Sequence, residues 1–551
     1  MLSLLFRYFN TIKYLKLSQI FFRIYKKINF LYSAPNFSAL AISTNPIKNT
    51  LRTNYFHFKF FEKDYTFTFL NTPLSVKYND TNQLNWFPSQ ASQLWIYNLH
   101  YFDYLFEFNS YDTKINFITD WINNVPYKAK DAWHPYTVSL RICNWIWSLS
   151  ENQKTVPKNI ITSIYQQSHF LSYHLEFDVL GNHLIENCKA LIIGGLFLEE
   201  NKFLNKGLKL LNKQLKEQIL EDGGHYERTP MYHIIILADL ISIYDALSQF
   251  KKNPPWLLNV INKMGNWLQQ ISDADYFPLF NDSSFDITYS PQKILLYLKE
   301  HYGFNFKNNV SGLLKQSGIF YFNNEFTKLW FDCGDLGPDF LLAHAHNDSL
   351  NFELSLNNEM IITDSGTYDY ESGQSLNWRP FFRSSKSHNV VTIDNEEPND
   401  IWGSFRVANR GRTSILSYNK NSCLASHNSY KSKHIILNRK IDLNCSQSDL
   451  LIDDNIHFLK KTKVHFESNF HFHPNVKFKY IQKLKTHQIV VLETNKQTIE
   501  LIYHEINDII NINESYYSTK FMKKVKRVNL TISGVRNNSC NNITEFKGIL
   551  K

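Results

Sequence analysis

Two histidines separated by a single residue, His344 and His346, stand in the run His344-Ala-His-Asn-Asp348 and are followed downstream by Asp364 and His388. Imidazole and carboxylate groups bind divalent metals such as Zn²⁺, with a water completing four-coordination. They also move protons near neutral pH. His346, Asp364 and His388 could therefore supply three metal ligands, although their spacing is not that of a local metal motif. The plain alternative is a set of polar strand residues facing a cleft.

Two further constellations precede them. Gly181-Asn182-His183 is set to open a helix, with Glu186 and Asn187 one turn on. An amide beside an imidazole at a helix N-terminus, where backbone N–H groups point outward, suits a carboxylate ligand; Asn182 as a simple helix cap is the alternative. The stretch from Asp222-Gly-Gly-His225 through Glu227-Arg228-Thr-Pro230 to Tyr232-His233 gathers titratable groups behind a glycine turn, or else forms a capped helix with a Glu–Arg pair. Arg379, Arg383 and Lys386 lie near His388 and could neutralise an acidic sugar or form a solvated loop.

These residues need elements to position them. From about residue 85 to about 300 apolar residues recur every three or four positions, which predicts a series of helices. Leu184, Ile185, Cys188, Leu191 and Ile192 share one arc of such a helix, opposite His183, Glu186 and Asn187. Thr229 as N-cap and Pro230 at the first helical position predict another, carrying Tyr232, Ile236 and Asp239 along one side. After about residue 315 the period becomes two: Leu350, Phe352, Leu354 and Leu356 alternate with Asn351, Glu353 and Ser355, and Asn357-Asn358-Glu359 turns the chain. The same alternation returns in 464–467, 489–492 and 498–502. The expected fold is multidomain, α then β. A basic N-terminal helix and lead-in segment (1–84) is followed by a helical domain (85–314) and an antiparallel β-sandwich (315–551), with a cleft where sites usually lie.

Composition narrows the function. At 551 residues the chain exceeds one ordinary core. An aromatic content of 15% is enough both to fill cores and to line a groove whose rings stack on sugars. The net charge of +9, from 59 Lys+Arg against 50 Asp+Glu without a long basic run, mildly favours an anionic partner. No zinc-finger spacing, RNA-binding signature or P-loop occurs, so an acidic polysaccharide is preferred over nucleic acid. Cysteines 143, 188, 333, 423, 445 and 540 are too scattered for a disulfide framework. Near the N-terminus, Arg7, Lys13, Lys16, Arg23, Lys26 and Lys27 interleave with Leu, Phe, Ile and Tyr. This reads as a basic amphipathic helix that packs on its own domain or rests on an anionic membrane surface, and the segment lacks the apolar core and cleavage site of a signal peptide. No uninterrupted apolar stretch reaches the length of a membrane span. His471-Phe-His473-Pro474 reads as structural.

Seven stretches, in order over about residues 94 to 400, together resemble the heparinase II/III-like polysaccharide lyases, relatives of heparinase III and the oligoalginate lyases. They are Leu94-Trp-Ile-Tyr-Asn-Leu-His-Tyr-Phe-Asp103, Trp133-His-Pro-Tyr-Thr-Val-Ser-Leu-Arg141 with Asn144-Trp145, Gly181-Asn-His183, Glu227-Arg-Thr-Pro230 with Tyr232-His233, His344-Ala-His346, Asp364-Ser-Gly-Thr-Tyr368, and Phe382-Arg-Ser-Ser385 with His388-Asn389. The resemblance implies an incomplete α/α toroid followed by an antiparallel β-sandwich, and β-elimination on a uronic-acid polysaccharide. In that chemistry the proton at C5, next to the carboxylate, is removed and the bond to the 4-oxygen breaks.

Position by position, the resemblance implies that Asn182 and His183 grip the uronate carboxylate, with His183 a base for one epimer. Tyr232 would be base at C5 and acid to the leaving oxygen, and His344 would face the substrate from the sandwich. Glu186, Arg228, Tyr368 and Arg383 would contact the sugar. His346, Asp364 and His388 would hold a structural zinc or other divalent cation, with no organic cofactor. Because a free tyrosine titrates near 10, a cationic surrounding is expected to depress Tyr232, with Arg383 and Arg228 as its sources. Ala345 and Asn347 depart from the Gly and small apolar residue usual in relatives, and dividing the roles of His344 and His346 requires an irregular loop at Ala345.

The resemblance also implies a cell-envelope or periplasmic protein acting on an acidic surface polysaccharide, with a cytoplasmic or membrane-peripheral protein as the alternative; the motifs say nothing of oligomeric state. A uronyl C5-epimerase, which returns the proton without expelling O4, and a non-catalytic acidic-glycan-binding protein are the alternatives.

Overall fold

The computed structural model describes residues 2–29, 44–55, 59–62, 64–77, 84–150, 155–306, 311–371, 378–443 and 449–551. Contacts divide the chain into two compact units, one of residues 1–15, 220–234 and 264–551, the other of residues 16–219 and 235–263. Residues 220–234 and 264–314, helical side of the sequence boundary, thus belong with the strands.

The second unit is helical, as the three-to-four spacing predicts. Helices Gln93–Tyr101, Tyr111–Asn124, Pro135–Ser150, Lys158–Tyr173, Gly181–Phe197 and Asn201–Gln218 follow one another along the chain. Ser92 and Ser110 cap the first two by accepting from the backbone N–H groups of Trp95 and Thr113. Trp95, Trp121 and Trp145 fill the interior. Arg141 is buried among them, donating to Gln167 Oε1 (2.8 Å) and the Ala132 carbonyl (2.7 Å) with its guanidinium 4.1 Å from the Trp121 ring. These bonds and the ring contact offset part of the cost of burying the charge. Gly195 lets Gly181–Phe197 approach the following helix closely, since a Cβ there would lie 2.5 Å from the Leu204 nitrogen.

The helix Pro230–Gln249 begins directly after Thr229, whose carbonyl accepts from His233 N (3.0 Å). It has the length and hydropathy of a membrane span, yet 78% of its most apolar window is buried inside the protein, the signature of a core helix.

The first unit is built on antiparallel sheets. An eight-stranded sheet runs Thr413–Tyr418, Ser422–His427, Ile435–Asp442, Leu450–Phe458, Cys540–Leu550, Gln497–Tyr503, Gln488–Glu493, Lys477–Lys483. Beside it are a four-stranded sheet (Ile509–Lys520, Lys523–Arg536, Val464–His471, Val391–Ile393), a five-stranded one (Gly312–Leu314, Ile319–Asn323, Thr327–Asp332, Phe352–Leu356, Glu359–Ile362) and a two-stranded one (Ile401–Trp402, Arg406–Val407). Their inward residues, among them Phe331, Phe352, Leu354, Ile452, Phe470, Leu501 and Ile532, form one apolar core. Helices followed by antiparallel sheets are the fold class expected from periodicity.

One strand differs from its pattern. Phe352–Leu356 alternates as predicted but is buried on both faces. Glu353, on the face expected to meet solvent, accepts from Tyr276 Oη (2.5 Å), Leu279 N (3.2 Å) and Asp364 N (2.9 Å). Burial pushes its carboxyl up to about 8. Among the described cysteines all five are free thiols; Cys445 lies outside the described residues.

Candidate active site

In the sheet-bearing unit, Tyr232, in the first turn of its helix, meets the irregular segment 341–349. Its ring lies 4.1 Å from the His344 ring, and its hydroxyl is 3.0 Å from that of Tyr370. His344 Nδ1 stands 2.9 Å from Asp282 Oδ2. Asp282 is fully buried and held well below the usual carboxylate range: burial works to raise it, but Arg379 and the hydrogen bonds from His344, His346 and Arg379 outweigh burial. An ionised carboxylate only accepts, so Nδ1 of His344 carries the proton and Nε2 is left as the basic atom. Glu227 Oε2 lies 3.9 Å from that nitrogen.

Asp282 is the hub of this cluster. Besides His344 it accepts from His346 Nε2 (2.9 Å) and from Arg379, which grips both carboxylate oxygens, Nη2 to Oδ2 at 2.8 Å. The bidentate fork is the strong form of this interaction and needs Arg rather than Lys. Sequence reasoning missed Asp282; its only signal is a lone carboxylate in the polar run Phe280-Asn-Asp-Ser-Ser284.

Behind the pair, His346 and His388 stand 5.3 Å apart, ring to ring. With Asp348 they form the one group, among the described residues, whose ligand atoms converge, all within 4.8 Å of one another. His346 Nδ1 and His388 Nε2 are buried without a hydrogen-bond partner. Asp364, expected as the carboxylate ligand, instead lies 2.6 Å from His388 Nδ1 and accepts from Gly366 N (2.8 Å), which turns His388 Nε2 toward Asp348.

The wall near Tyr370 comes from the C-terminal hairpin Ile509–Lys520/Lys523–Arg536. Its turn residue Phe521 packs edge-on against Tyr370 (5.0 Å), and Met522 N donates to the Tyr368 carbonyl (2.8 Å). Gly366, at φ +70°, bridges to Ser518; a Cβ there would fall 2.1 Å from the Ser518 carbonyl oxygen, so only glycine fits.

In the helical unit a second cluster surrounds Glu176. Leu180, at φ 72° and ψ −155°, is the N-cap of Gly181–Phe197, a conformation non-glycine residues rarely adopt. Asn182 is therefore in the first helical turn and not the cap. His183 Nδ1 lies 2.9 Å from Glu176 Oε1, with His134 Nε2 3.8 Å from the same oxygen. Asn187 Nδ2 donates to Glu176 Oε2 (3.0 Å). Burial works to raise the Glu176 carboxyl, but His183 outweighs it and holds the group down at about 2. His183 remains about a third exposed, with Tyr136 4.4 Å from its ring. Glu176 and His134 were missed, although His134 lies within the Trp133-His-Pro motif.

Several expected site residues lie elsewhere. Glu186 is buried with Lys189 (2.7 Å) and Asp239, and burial, then Asp239, push its carboxyl up to about 8, so it faces an internal charge cluster and not a sugar. Arg383 is buried, donating to the carbonyls of Ala345 (3.0 Å), Gly403 (3.1 Å) and Ser404 (2.9 Å). Arg228 donates to the Ser317 carbonyl (3.2 Å). Neither depresses Tyr232; burial pushes that phenol up, and Arg379, the nearby cation, is committed to Asp282. Tyr368 is half-buried with the Lys524 ammonium 4.7 Å from its ring centre.

Helices followed in the chain by antiparallel sheets define the helix-plus-sandwich class of fold, and within the sheet-bearing unit a phenol lies tilted against a carboxylate-oriented imidazole. The heparinase II/III N-terminus family matches residues 31–300, and the heparinase II/III-like C-terminal family matches residues 307–544. The chain belongs to the heparinase II/III-like family.

Among curated proteins it is 26% identical over 304 residues to a heparin-sulfate lyase of Bacteroides stercoris (49% of this chain, 44% of the relative). It is 24% identical over 353 residues to one of Bacteroides thetaiotaomicron (54% and 50%). The chain spans about half the length of the curated relatives it matches. A crystal structure of heparinase III aligns with a TM-score of 0.69 at 17% identity, covering 97% of this chain and 89% of the other. A heparan sulfate lyase HepC mutant from Pedobacter heparinus aligns at 0.61 and 17%, covering 97% and 88%. They share the fold.

Proposed function

We propose that this protein is a polysaccharide lyase that cleaves a uronic-acid glycan by β-elimination. The observation that carries the reading is the Tyr232–His344 pair, a phenol tilted against an imidazole whose Nδ1 is fixed by Asp282. Family membership and the heparin-sulfate lyase relatives support the reaction class and an acidic substrate.

Because burial keeps the Tyr232 phenol protonated, Tyr232 is suited to donate to the leaving O4, and His344 Nε2 to accept the C5 proton. The electrons of the C5–H bond form the C4=C5 double bond as the C4–O4 bond breaks. O4 leaves with the Tyr232 proton, and the proton held by His344 returns to Tyr232. Neutralising the carboxylate on which negative charge develops is the part that the family resemblance implies for Asn182 and His183. Tyr368 would lend its half-buried ring to a sugar.

As part of the same reading, His346, Asp348 and His388 would hold a structural divalent cation. Two unpartnered buried imidazole nitrogens beside a carboxylate make a donor set that zinc accepts. Such an ion would tie the segment 344–348 to that around His388.

The test is the ultraviolet absorbance of the unsaturated product on a panel of acidic polysaccharides. Tyr232→Phe should lower kcat by about 10²–10⁴-fold, the usual worth of a positioned acid. A substrate whose 4-oxygen leaves as a stabilised aryl oxide should rescue Tyr232→Phe and leave His344→Gln inactive; rescue of both or neither sinks the division of roles. Solvent deuterium entering C5 without cleavage would assign an epimerase instead.

A further inference from the structure

The net charge of this chain is confined to one end. Residues 1–61 contain nine Lys and Arg and no Asp or Glu, which leaves fifty basic against fifty acidic residues in all the rest. The +9 is therefore a property of the N-terminal segment, although no basic run longer than the Lys26-Lys27 pair reveals it.

Two helices of that segment are amphipathic in the inverted sense. Leu2–Ile12 uses its polar side to attach to the sheet-bearing unit. Arg7 pairs with Asp400 (2.9 Å), Trp402 Nε1 donates to Thr11 Oγ1 (3.1 Å), and Asn10 is buried. Its opposite side presents Leu5, Phe9 and Ile12, which are 59%, 63% and 49% exposed. Leu17–Asn29 repeats the arrangement on the helical unit: Gln19 is buried and Lys26 pairs with Asp178 (2.5 Å), whereas Leu17, Phe21 and Ile24 are 85%, 61% and 58% exposed. Helical positions i, i+4 and i+7 share one face, so each trio is a continuous stripe. Arg23 and Lys27 flank the second stripe and Lys13 the first, all exposed.

A helix of a water-facing protein normally turns such a stripe inward, and large exposed apolar patches mark interaction surfaces. Aromatic and aliphatic residues outward, basic residues beside them and an acid-free segment describe the partner: apolar just below its surface and negatively charged at it. We propose that the outward faces of these two helices each dock on an anionic lipid bilayer, burying Phe9 and Phe21 at the acyl boundary while Lys13, Arg23 and Lys27 meet the headgroups. This inference is independent of the lyase reading, because its readout involves no glycan turnover.

The experiment is co-sedimentation of the full chain with phosphatidylcholine vesicles, with and without phosphatidylglycerol. Binding should require the anionic lipid and weaken with salt. Phe9→Glu and Phe21→Glu should each lower vesicle partitioning by about tenfold or more. Arg23→Gln with Lys27→Gln should lower it on anionic vesicles. Thermal melting of these surface variants should match the parent, which separates lost docking from lost folding. Equal binding to neutral vesicles, or binding indifferent to the glutamate variants, overturns the proposal. So does a dimer by light scattering that the same variants dissolve in the absence of vesicle binding, which assigns the faces to a second copy. Retention by acidic oligosaccharide alone would assign them to glycan.

Discussion

Two buried carboxylates each hold a pair of histidines, Asp282 in the sheet-bearing unit and Glu176 in the helical one, and the two are neutralised by different means. Asp282 carries His344 and His346 but is also gripped by Arg379 through both oxygens. Glu176 carries His183 and His134 and has an amide, Asn187, as its other partner. A guanidinium stays charged at any attainable pH, whereas an imidazole does not. The Asp282 cluster is thus electrostatically fixed, and the Glu176 cluster is adjustable by its own histidines. On the proposed mechanism, a fixed cluster suits orientation of the imidazole that takes the proton, and an adjustable one suits a group whose charge must answer the substrate carboxylate.

The largest effect that could break this contrast is at Asp282. Asp282→Asn leaves Arg379 buried without its countercharge and should destabilise by about 3–5 kcal/mol in urea unfolding. Glu176→Gln keeps the shape and strands no permanent charge, so about 1–3 kcal/mol is expected. The reverse order would mean that the histidines of the helical cluster are the stronger charge partners.

A pH series sharpens the same point. The Glu176 carboxyl is held at about 2 in the folded state against an ordinary 4.5. The unfolded chain therefore takes up this proton first, and the stabilisation is complete above pH 4.5 and drains away as the pH falls toward 2. Glu176→Gln should flatten that limb of the stability profile; an unchanged limb would remove Glu176 as its source. The smallest effect concerns the ion. Elemental analysis should find about one equivalent of divalent metal, and chelation should lower the melting temperature reversibly. His388→Ala should abolish that shift, and a protein that folds metal-free without change would end the claim.

Much of this was legible in the sequence, for particular reasons. Tyr232, His183 and His344 lie in short runs whose residue types and order carry the family pattern, and the helices and strands follow from the apolar period. Asp282 and Glu176 were not legible: Asp282 is a lone carboxylate in a polar run that meets His344 only across 62 residues of chain, and Glu176 sits between Leu175 and Phe177 with no motif around it. Arg383 and Glu186 were misread for the converse reason. A charged side chain suggests a ligand, but backbone carbonyls hold Arg383 and a buried lysine pairs with Glu186. Glu353 alternates as a solvent-facing residue should, and only the cover supplied by Tyr276 and Leu279 reverses it.

The hairpin turn at Phe521 also sets an order of events during synthesis. The ribosome delivers Tyr232, His344 and Tyr370 well before Phe521, the residue that packs against the Tyr370 ring. A nascent chain can hold Tyr232, His344 and Tyr370 and still lack the ring that packs against Tyr370. The seat of that ring is therefore finished only when the C-terminal hairpin arrives, which makes this part of the fold among the last to close.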